Sequence, residues 1–595
     1  MGKILFDTDD NRRRYRHTAS HIMAQAVKRL YPDVKLAIGP ATNEGFYYDF
    51  ECEKAFTKED LDAIETEMKK IISQNLPIER FVLPRDEALT LMSNEPYKTE
   101  LINDLPTDAE ITFYRQGDFT DLCAGPHMER TGDIKAIKLL SEGGSSGAYW
   151  RGSEKNKMLA RIYGTAFPDK KSLDAFIKAR EDALKRDHNK LGRELKLFTT
   201  SEIIGQGLPL LMPKGARIVQ ILQRFIEDEE QKRGYVLTKT PFMSKSDLYK
   251  VSGHWDHYKD SMFLLGNEEK DSDVYALRPM TCPFQFVVYN AEQHSYRDLP
   301  IRYNETSSLF RNEESGEMHG LIRVRQFTLS EGHLVVRPDQ LKDEFKGVVD
   351  LIQYIMKILG IDGDIWYRFS KWDANNKDKY IGDADMWEQT QDLMRAIIDE
   401  IGIKYVEADG EAAFYGPKLD IQTRNVYGKE DTIITIQIDF ALAARFNMTY
   451  VDSDGAKKNP IIIHRSSLGC YERTLAMLVE KYAGAFPLWL APVQAKVLSI
   501  SEKFNDYAQK VSNQLTSYGL RIETDLRGEK IGFKIREGRL ERVPYLIIVG
   551  EKEEAGGLIS LWSRAAGDEG QTSIDTFIAR ANDEIARKVI IPLRQ

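Results

Sequence analysis

Between Gly320 and Val336 the residues alternate in character, so that an unbroken strand would set Arg323, Arg325, Phe327, Leu329, Glu331 and His333 on one face. Such a strand suits a sheet that packs one side and presents the other, and a bulge within it would shift part of the set. Ser308 to Glu313 offers an antiparallel partner across the polar loop Glu314-Ser315-Gly316-Glu317, with Arg311 and Glu313 on a shared face. Farther on, Ile433 to Phe440 opposes Thr435, Gln437 and Asp439 to Ile434, Ile436, Ile438 and Phe440. The pattern predicts an antiparallel sheet, apolar behind and polar in front. A helix marked by Ile218, Ile221, Leu222, Phe225 and Ile226 precedes it, and one marked by Leu468, Tyr471, Leu475, Leu478 and Val479 follows.

One core cannot organise 595 residues, so three or four domains are expected. Ahead of the sheet, Arg16 to Tyr31 reads as an amphipathic helix with Ala19, Met23, Ala26 and Leu30 on a stripe and His17 and His21 one turn apart. Mixed α/β sequence follows to Phe167 and contains a loop-borne cluster, Asp121-Leu122-Cys123-Ala124-Gly125-Pro126-His127. Ser172 to Leu195 is mixed-charge and helical, suited to a connector. From Leu488 the order becomes strand (496–500), helix (505–518), strand (521–524), helix (530–542), strands (545–549, 558–563) and a final helix, a small α/β domain. The expected fold is multidomain α+β and α/β, divided at 1–168, 169–195, 196–487 and 488–595.

A hydrophobic share of 42% and a charged share of 29% are those of a soluble globular chain. No run nears the roughly 18 apolar residues that cross a bilayer, and Met1 to Asp7 carries no apolar signal region, so a cytoplasmic location without a membrane partner is expected. Four scattered cysteines argue against a disulfide framework and leave metal binding or chemistry. A net charge of -9 neither suggests nor excludes a nucleic-acid partner.

Spacing alone does not pair Cys282, His333 and His464, and a lone buried Cys or His is more often packed core. Their company pairs them: Arg278-Pro279-Met280-Thr281 before the first, Arg311 to Glu331 before the second, and Leu468-Gly469-Cys470-Tyr471-Glu472-Arg473 after the third. They read as ligands of one zinc ion that keeps a position for substrate. Arg311, Glu313, Arg323 and Phe327 offer guanidinium groups for phosphate, a carboxylate for the adenine amino group and an aromatic face for the base, and Arg473 adds a cation. A solvated surface hairpin is the plain alternative. The pairs His17/His21 and Cys123/His127, each at i, i+4, suit a metal site or packing.

These segments resemble the class II aminoacyl-tRNA synthetases, and within them the threonyl-tRNA synthetase family, over nearly the whole chain. Phe310 to Glu313 through Arg323 to Phe327 is similar to motif 2, Gly469 to Arg473 to motif 3, and Gly234 to Pro241 to motif 1, which usually builds a dimer interface. Gly253 to Asp260, Tyr296 to Pro300, Phe414 to Lys418 and Leu490 to Gln494 also match. The resemblance implies that Arg311 holds the α-phosphate and amino-acid carboxylate, Glu313 and Phe327 the adenine, and Arg323 and Arg473 other phosphates. Gln437 joins the ATP set, and Tyr415, Lys418, Leu329 and Glu331 border the amino-acid pocket. The substrates implied are ATP with Mg²⁺, L-threonine and tRNA(Thr), in a homodimer. Valine is nearly isosteric with threonine, and shape alone separates such pairs by only about 10². Zinc that takes the amino group and side-chain hydroxyl rejects valine; serine keeps both groups, so a second, hydrolytic sieve is expected. His17, His21, Tyr48, Lys98, Asp121, Cys123 and His127 resemble that editing site, with metal binding there the physical rival. Arg521, Arg527, Lys530, Lys534, Arg536, Arg539 and Arg542 form a basic run suited to anticodon-stem phosphates.

The family commonly has a ubiquitin-like domain ahead of the editing domain, and from its start this chain is expected to lack one. Phe284-Gln285 stand for the usual Gly-His, Leu329 and Glu331 for Gln and Asp, Thr432-Ile433-Ile434 for Gln-Cys-Gly, and Gly528 and Trp562 for Asn and Arg. These departures keep two rivals in view: a synthetase-like regulator that binds without efficient charging, and a ligase for serine or proline.

Overall fold

The computed structural model describes residue 6 and residues 8 to 590 other than 142, 154, 269 and 272. The chain divides into two compact units, Met1–Asp182 and Ala183–Gln595, and the division falls inside the expected connector. That connector is two helices, Lys170–Arg186 and His188–Glu194. Asp187 starts the second by accepting from the amides of Asn189 and Lys190.

In the first unit the helix Asp9–Leu30 is capped by Thr8 and carries Asp9 and Asp10 in its first turn, where a helix favours negative charge. It begins well before Arg16 because its opening turns are charged and lack an apolar stripe. Ala19, Met23 and Ala26 are buried, whereas Leu30, expected on the same stripe, is exposed at the helix end. The helix shares a core with a sheet ordered Lys35–Leu36, Phe46–Glu51, Met158–Phe167, Ala136–Leu139, with Ser146–Tyr149 also on Met158–Phe167. A second antiparallel sheet, Ile78–Val82, Thr112–Gln116 and Phe119–Leu122, delivers Asp121 and Cys123 from its last strand.

The second unit is built on eight strands in the order Val236–Leu237, Ile301–Phe310, Gln326–Val336, Ile461–Cys470, Glu430–Asp439, Lys418–Arg424, Ile365–Ser370, Tyr405–Ala408. The inner six pair antiparallel as expected; the two edge strands pair parallel. Tyr405–Ala408 is reached from Ile365–Ser370 through the helix Ala384–Ile401, the kind of crossover that parallel pairing requires. Behind the sheet, Leu334, Leu419, Ile421, Ile434, Ile436, Ile438 and Ile463 join a core with the helices Pro213–Lys232, Leu341–Ile358 and Tyr471–Tyr482.

Gln326–Val336 runs unbroken against Ile301–Phe310, from Ile301 opposite Val335 to Phe310 opposite Gln326. Phe327, Leu329, Glu331 and His333 therefore do share a face. Arg323 and Arg325 do not extend it. They lie in the connection before the strand, where Gly320 takes a φ of 50° and Arg325 N–H donates to the Gly207 carbonyl. Arg311 and Glu313 likewise lie past the end of the partner strand, which starts well before Ser308. The register irregularity sits on the other neighbour, where Ile461–Cys470 places extra residues between the partners of Leu329 and Glu331.

Beside the sheet centre, the buried Arg465 donates to Glu230 at 2.5 Å, and its guanidinium lies 4.2 Å from the Tyr235 ring centroid. Glu230 also accepts from Ser467 and Asn304, each at 2.6 Å. Glu230→Ala would strand a buried guanidinium, so a loss of about 3–5 kcal/mol is expected. A urea midpoint unchanged from the parent protein would refute this.

The C-terminal part is a five-stranded sheet ordered Ile522–Asp525, Ala495–Ser499, Tyr545–Val549, Leu558–Ser563, Gly567–Ser573, the first three parallel and the last two antiparallel. The strand Gly567–Ser573 was not foreseen; its composition is polar throughout, so nothing alternates. Among the described residues no helix is long and apolar enough to cross a membrane.

Candidate active site and a second His–Cys pocket

A straight row crosses five strands of the central sheet. Tyr303 is opposite His333, His333 opposite His464, His464 opposite Gln437, and Gln437 opposite Lys418. Directly opposed residues point to the same face, so pairing alone sets the two imidazoles side by side, with ring centroids 4.7 Å apart. Cys282 enters from the first turn of the helix Cys282–Tyr289. Its sulfur and one nitrogen of each imidazole all lie within 4.8 Å of one another, and all three residues are buried.

The surroundings choose which nitrogen faces the cluster. Asp439 meets His464 Nε2 at 2.9 Å and uses its other oxygen to accept from the amides of Ala441 and Leu442. That leaves His464 Nδ1 toward the cluster. Gln285 Oε1 meets His333 Nδ1 at 2.6 Å, and His333 Nε2 is buried with no hydrogen-bond partner. A buried polar atom left unpaired costs about 1–3 kcal/mol, which a ligand would recover. Burial raises the Cys282 thiol well above its ordinary range and lowers His333 well below its own. A thiol and two imidazoles with outer partners fit zinc, which would displace the thiol proton and stabilise the buried thiolate.

Around this cluster Glu331 accepts from Thr281 N–H at 3.1 Å and approaches His333 Nε2 to 3.7 Å, with burial raising its carboxyl. Tyr415 stacks on His464 at 4.8 Å between centroids and donates its hydroxyl to Gln437. Gly416 allows this close approach, because a Cβ there would meet the Ile438 carbonyl at 1.8 Å. Lys418 pairs with the buried Asp420 at 3.2 Å. Leu329 packs with Leu309, Val324, Phe327 and Cys470.

Among the nucleotide candidates, Arg311 lies 5.1 Å from the Phe327 centroid, and its guanidinium reaches toward the Pro279 carbonyl. Phe327 is thus a largely buried ring with a cation over it. Arg323 pairs with Glu313 at 2.7 Å and with Glu317 at 2.7 Å. Arg473 donates to the carbonyls of Ile322 and Thr432, tying the motif 2 connection to the neighbouring strand. Asp439 and Gln285 were not assigned roles from sequence. Asp439 stood two residues from Gln437 on the same face; Gln285 stood out only as a departure from the family pattern.

A second pocket forms in the first unit. His17 and His21 project from the helix Asp9–Leu30 toward Cys123 and His127. Cys123 Sγ lies 3.3 Å from His17 Nε2 and 3.2 Å from His127 Nε2, and it accepts from Gly125 N–H at 3.2 Å. Asp121 accepts from Tyr48 hydroxyl at 2.7 Å and pairs with Lys98 at 2.7 Å, with His21 at 3.7 Å. Sequence thus named seven residues that the fold draws together. Burial lowers His17 to about 4 and raises the Cys123 thiol to about 12, so both are neutral near pH 7. The four N and S donors also lie within 4.8 Å of one another, close enough to share a cation.

In the C-terminal part, two members of the expected basic run are internal. Arg521 donates to the carbonyls of Ala491 and Trp489, and Lys534 is buried on the Ser499 carbonyl at 2.9 Å. Lys534 alternates with Glu along the helix Ile531–Leu540 and Arg521 precedes the strand Ile522–Asp525, so neither pattern marks a strut. Lys530, Arg536, Arg539 and Arg542 remain exposed, and Arg539 lies 5.4 Å from the Trp562 ring centroid.

A mostly antiparallel sheet with this row on its polar face, backed by helices and followed by a separate α/β domain, defines a class II aminoacyl-tRNA synthetase. Residues 263–482 match the tRNA synthetase class II core domain (G, H, P, S and T), and residues 491–584 match the anticodon binding domain. Residues 111–163 match the threonyl and alanyl tRNA synthetase second additional domain. A threonine–tRNA ligase of Clostridium botulinum (strain Eklund 17B / Type B) is 67% identical over 583 residues, spanning 98% of this chain and 90% of the relative. One from Geobacillus sp. (strain WCH70) is 49% identical over 575 residues, spanning 96% and 88%. The crystal structure of the RNA binding domain of threonyl-tRNA synthetase from Cryptosporidium parvum Iowa II is similar with a TM-score of 0.63 at 32% identity, covering 69% of this chain and 99% of that one. The chain belongs to the threonine–tRNA ligase family.

Proposed function

We infer that this chain is a threonine:tRNA ligase: it activates L-threonine with ATP to threonyl-adenylate, transfers the threonine to tRNA(Thr), and hydrolyses seryl-tRNA(Thr) made in error. The observation that carries the specificity is the buried donor set Cys282, His333 and His464, with a partnerless nitrogen aimed into it. Zinc bound there would supply a Lewis acid for the amino nitrogen and β-hydroxyl of threonine. Glu331 and Tyr415 border that position. Arg311 would hold the α-phosphate and the attacking carboxylate, and Lys418 would border the amino-acid pocket. Arg323 would exchange its carboxylate partners for phosphate, freeing Glu313 for the adenine amino group, while Phe327, Gln437 and Arg473 complete the ATP site. Activation needs no protein nucleophile: the carboxylate of threonine attacks the α-phosphorus and pyrophosphate leaves, with Mg²⁺ and the cations offsetting charge.

The division of labour in this reading is 1–168 for editing, 169–195 as linker, 196–487 for catalysis and 488–595 for the anticodon. His17, His21, Cys123 and His127 would orient the ester and a water, with Tyr48, Lys98 and Asp121 behind them. The exposed apolar residues Val236, Leu237, Phe242 and Met243 support a homodimer through the first edge strand. A cytoplasmic setting agrees with the absence of a spanning helix among the described residues.

Amino-acid-dependent ATP–pyrophosphate exchange tests the reading. With zinc and magnesium present, threonine should be fastest. Serine, which loses only a methyl, should fall by about 10- to 200-fold, and valine, which leaves a polar site unpaired, by about 10⁴ or more. Exchange that does not depend on threonine would leave a regulator, and preference for proline or serine would leave another ligase.

A further inference from the structure

We propose that Gln285 is a positioning residue that selects the tautomer of His333, at the end of a hydrogen-bond relay whose direction is set by the buried Arg278–Glu305 pair. Gln285 and His333 are both fully buried. Gln285 lies one turn beyond Cys282 on the same helix, so a single turn supplies the sulfur donor and the outer partner of an imidazole donor.

The donors and acceptors along the relay run from Arg278 toward His333. Arg278 donates to Glu305 Oε1 at 2.9 Å, and Glu305 Oε2 faces the Thr238 hydroxyl at 3.2 Å. The Asn304 carbonyl, also 3.2 Å from that hydroxyl, is likewise an acceptor. Whichever of the two takes the Thr238 proton, neither can donate in return. Thr238, with its proton directed at these acceptors, accepts from Gln285, whose Nε2 lies 2.7 Å away. With its amide N–H spent on Thr238, Gln285 presents Oε1 to His333 Nδ1 at 2.6 Å. Nδ1 must then carry the proton, and Nε2 turns its lone pair toward Cys282 and His464. Reversing the amide would put a proton on Nε2 and block it as a ligand. The other imidazole is set differently, by the Asp439 carboxylate. The two arms thus use a charged and a neutral partner for the same purpose.

Thr238 directly follows the edge strand Val236–Leu237, so the relay also ties the donor cluster to the rim of the sheet. This proposal rests on the metal reading of Cys282, His333 and His464.

The test is zinc affinity by competition with a chromophoric chelator, together with the visible absorption of the cobalt-substituted protein, on the full chain. Gln285→Met keeps the volume and removes the acceptor; zinc binding should weaken about 10- to 100-fold, with a changed cobalt spectrum. Gln285→Glu restores an acceptor and should bind zinc at least as tightly as the parent protein. Thr238→Val removes the hydroxyl that orients the amide and should weaken binding in the same direction by a smaller factor. Parental affinity and spectrum in Gln285→Met, or equal weakening in Gln285→Met and Gln285→Glu, would overturn the relay. Should Gln285→Met fail to fold, unchanged zinc affinity in Thr238→Val would overturn it. A parent protein that binds no zinc would remove the metal reading itself and the relay with it.

Discussion

Cys282→Ser should release zinc and lower threonine-dependent ATP–pyrophosphate exchange by about 10³-fold or more. A Lewis acid contributes several kcal/mol, and each 1.4 kcal/mol is about a factor of ten. The side chain changes by one atom, so packing around Phe286 and Tyr289, which share its small core, is nearly preserved. What disappears is a donor able to become a thiolate in a site where burial holds the thiol neutral. Lost metal and lost exchange, with thermal unfolding matching that of the zinc-free parent protein, are therefore the expected results. The residual activity should also discriminate poorly, because recognition of the hydroxyl goes with the ion. A variant that keeps both metal content and rate would exclude Cys282 as a ligand.

His17→Ala should leave threonine charging intact and slow the hydrolysis of seryl-tRNA by about 10²- to 10⁴-fold, the usual contribution of a positioned acid or base. Cys123→Ala should act in the same direction, since its sulfur links His17 and His127. Burial brings His17 down to about 4, so it is neutral through the physiological range. Hydrolysis should therefore stay flat between pH 6 and 8, and should fall only as pH drops toward about 4 and the imidazole becomes a cation. Chelation adds a second arm. Hydrolysis that survives metal removal supports an oriented water; hydrolysis lost on chelation and restored by zinc would give the pocket to a metal. Seryl-tRNA turnover equal to the parent rate in both variants would remove these residues from editing.

Much of this was legible in sequence because strand periodicity is strict. The alternation around Ile434, Ile436 and Ile438 gave the packed face correctly, since a two-residue period admits few other placements. Convergence of His17, His21, Cys123 and His127 was foreseen from paired i, i+4 spacing and family likeness together. Residues 311–313 and 320–325, expected at strand ends because their charges alternate, lie in the connection instead, where Gly320 and the bond to Gly207 turn the chain aside. Arg521 and Lys534 looked like surface cations because composition does not register which carbonyls lie beneath them. Gln285 could not be given a role from sequence, since its partners Thr238 and His333 come from remote segments that only the folded sheet makes neighbours.

The row from Tyr303 to Lys418 also constrains biosynthesis. Its members are released from the ribosome in an order unrelated to their order across the sheet: His464 comes last, yet it occupies the middle of the row, between His333 and Gln437. A nascent chain stopped before that strand holds Cys282, His333 and Gln437 with a gap where the third donor and its strand belong. The residues of the pocket around Cys123 are by then complete. Abortive translation products would accordingly be able to inherit the pocket around Cys123, never the donor set of Cys282, His333 and His464.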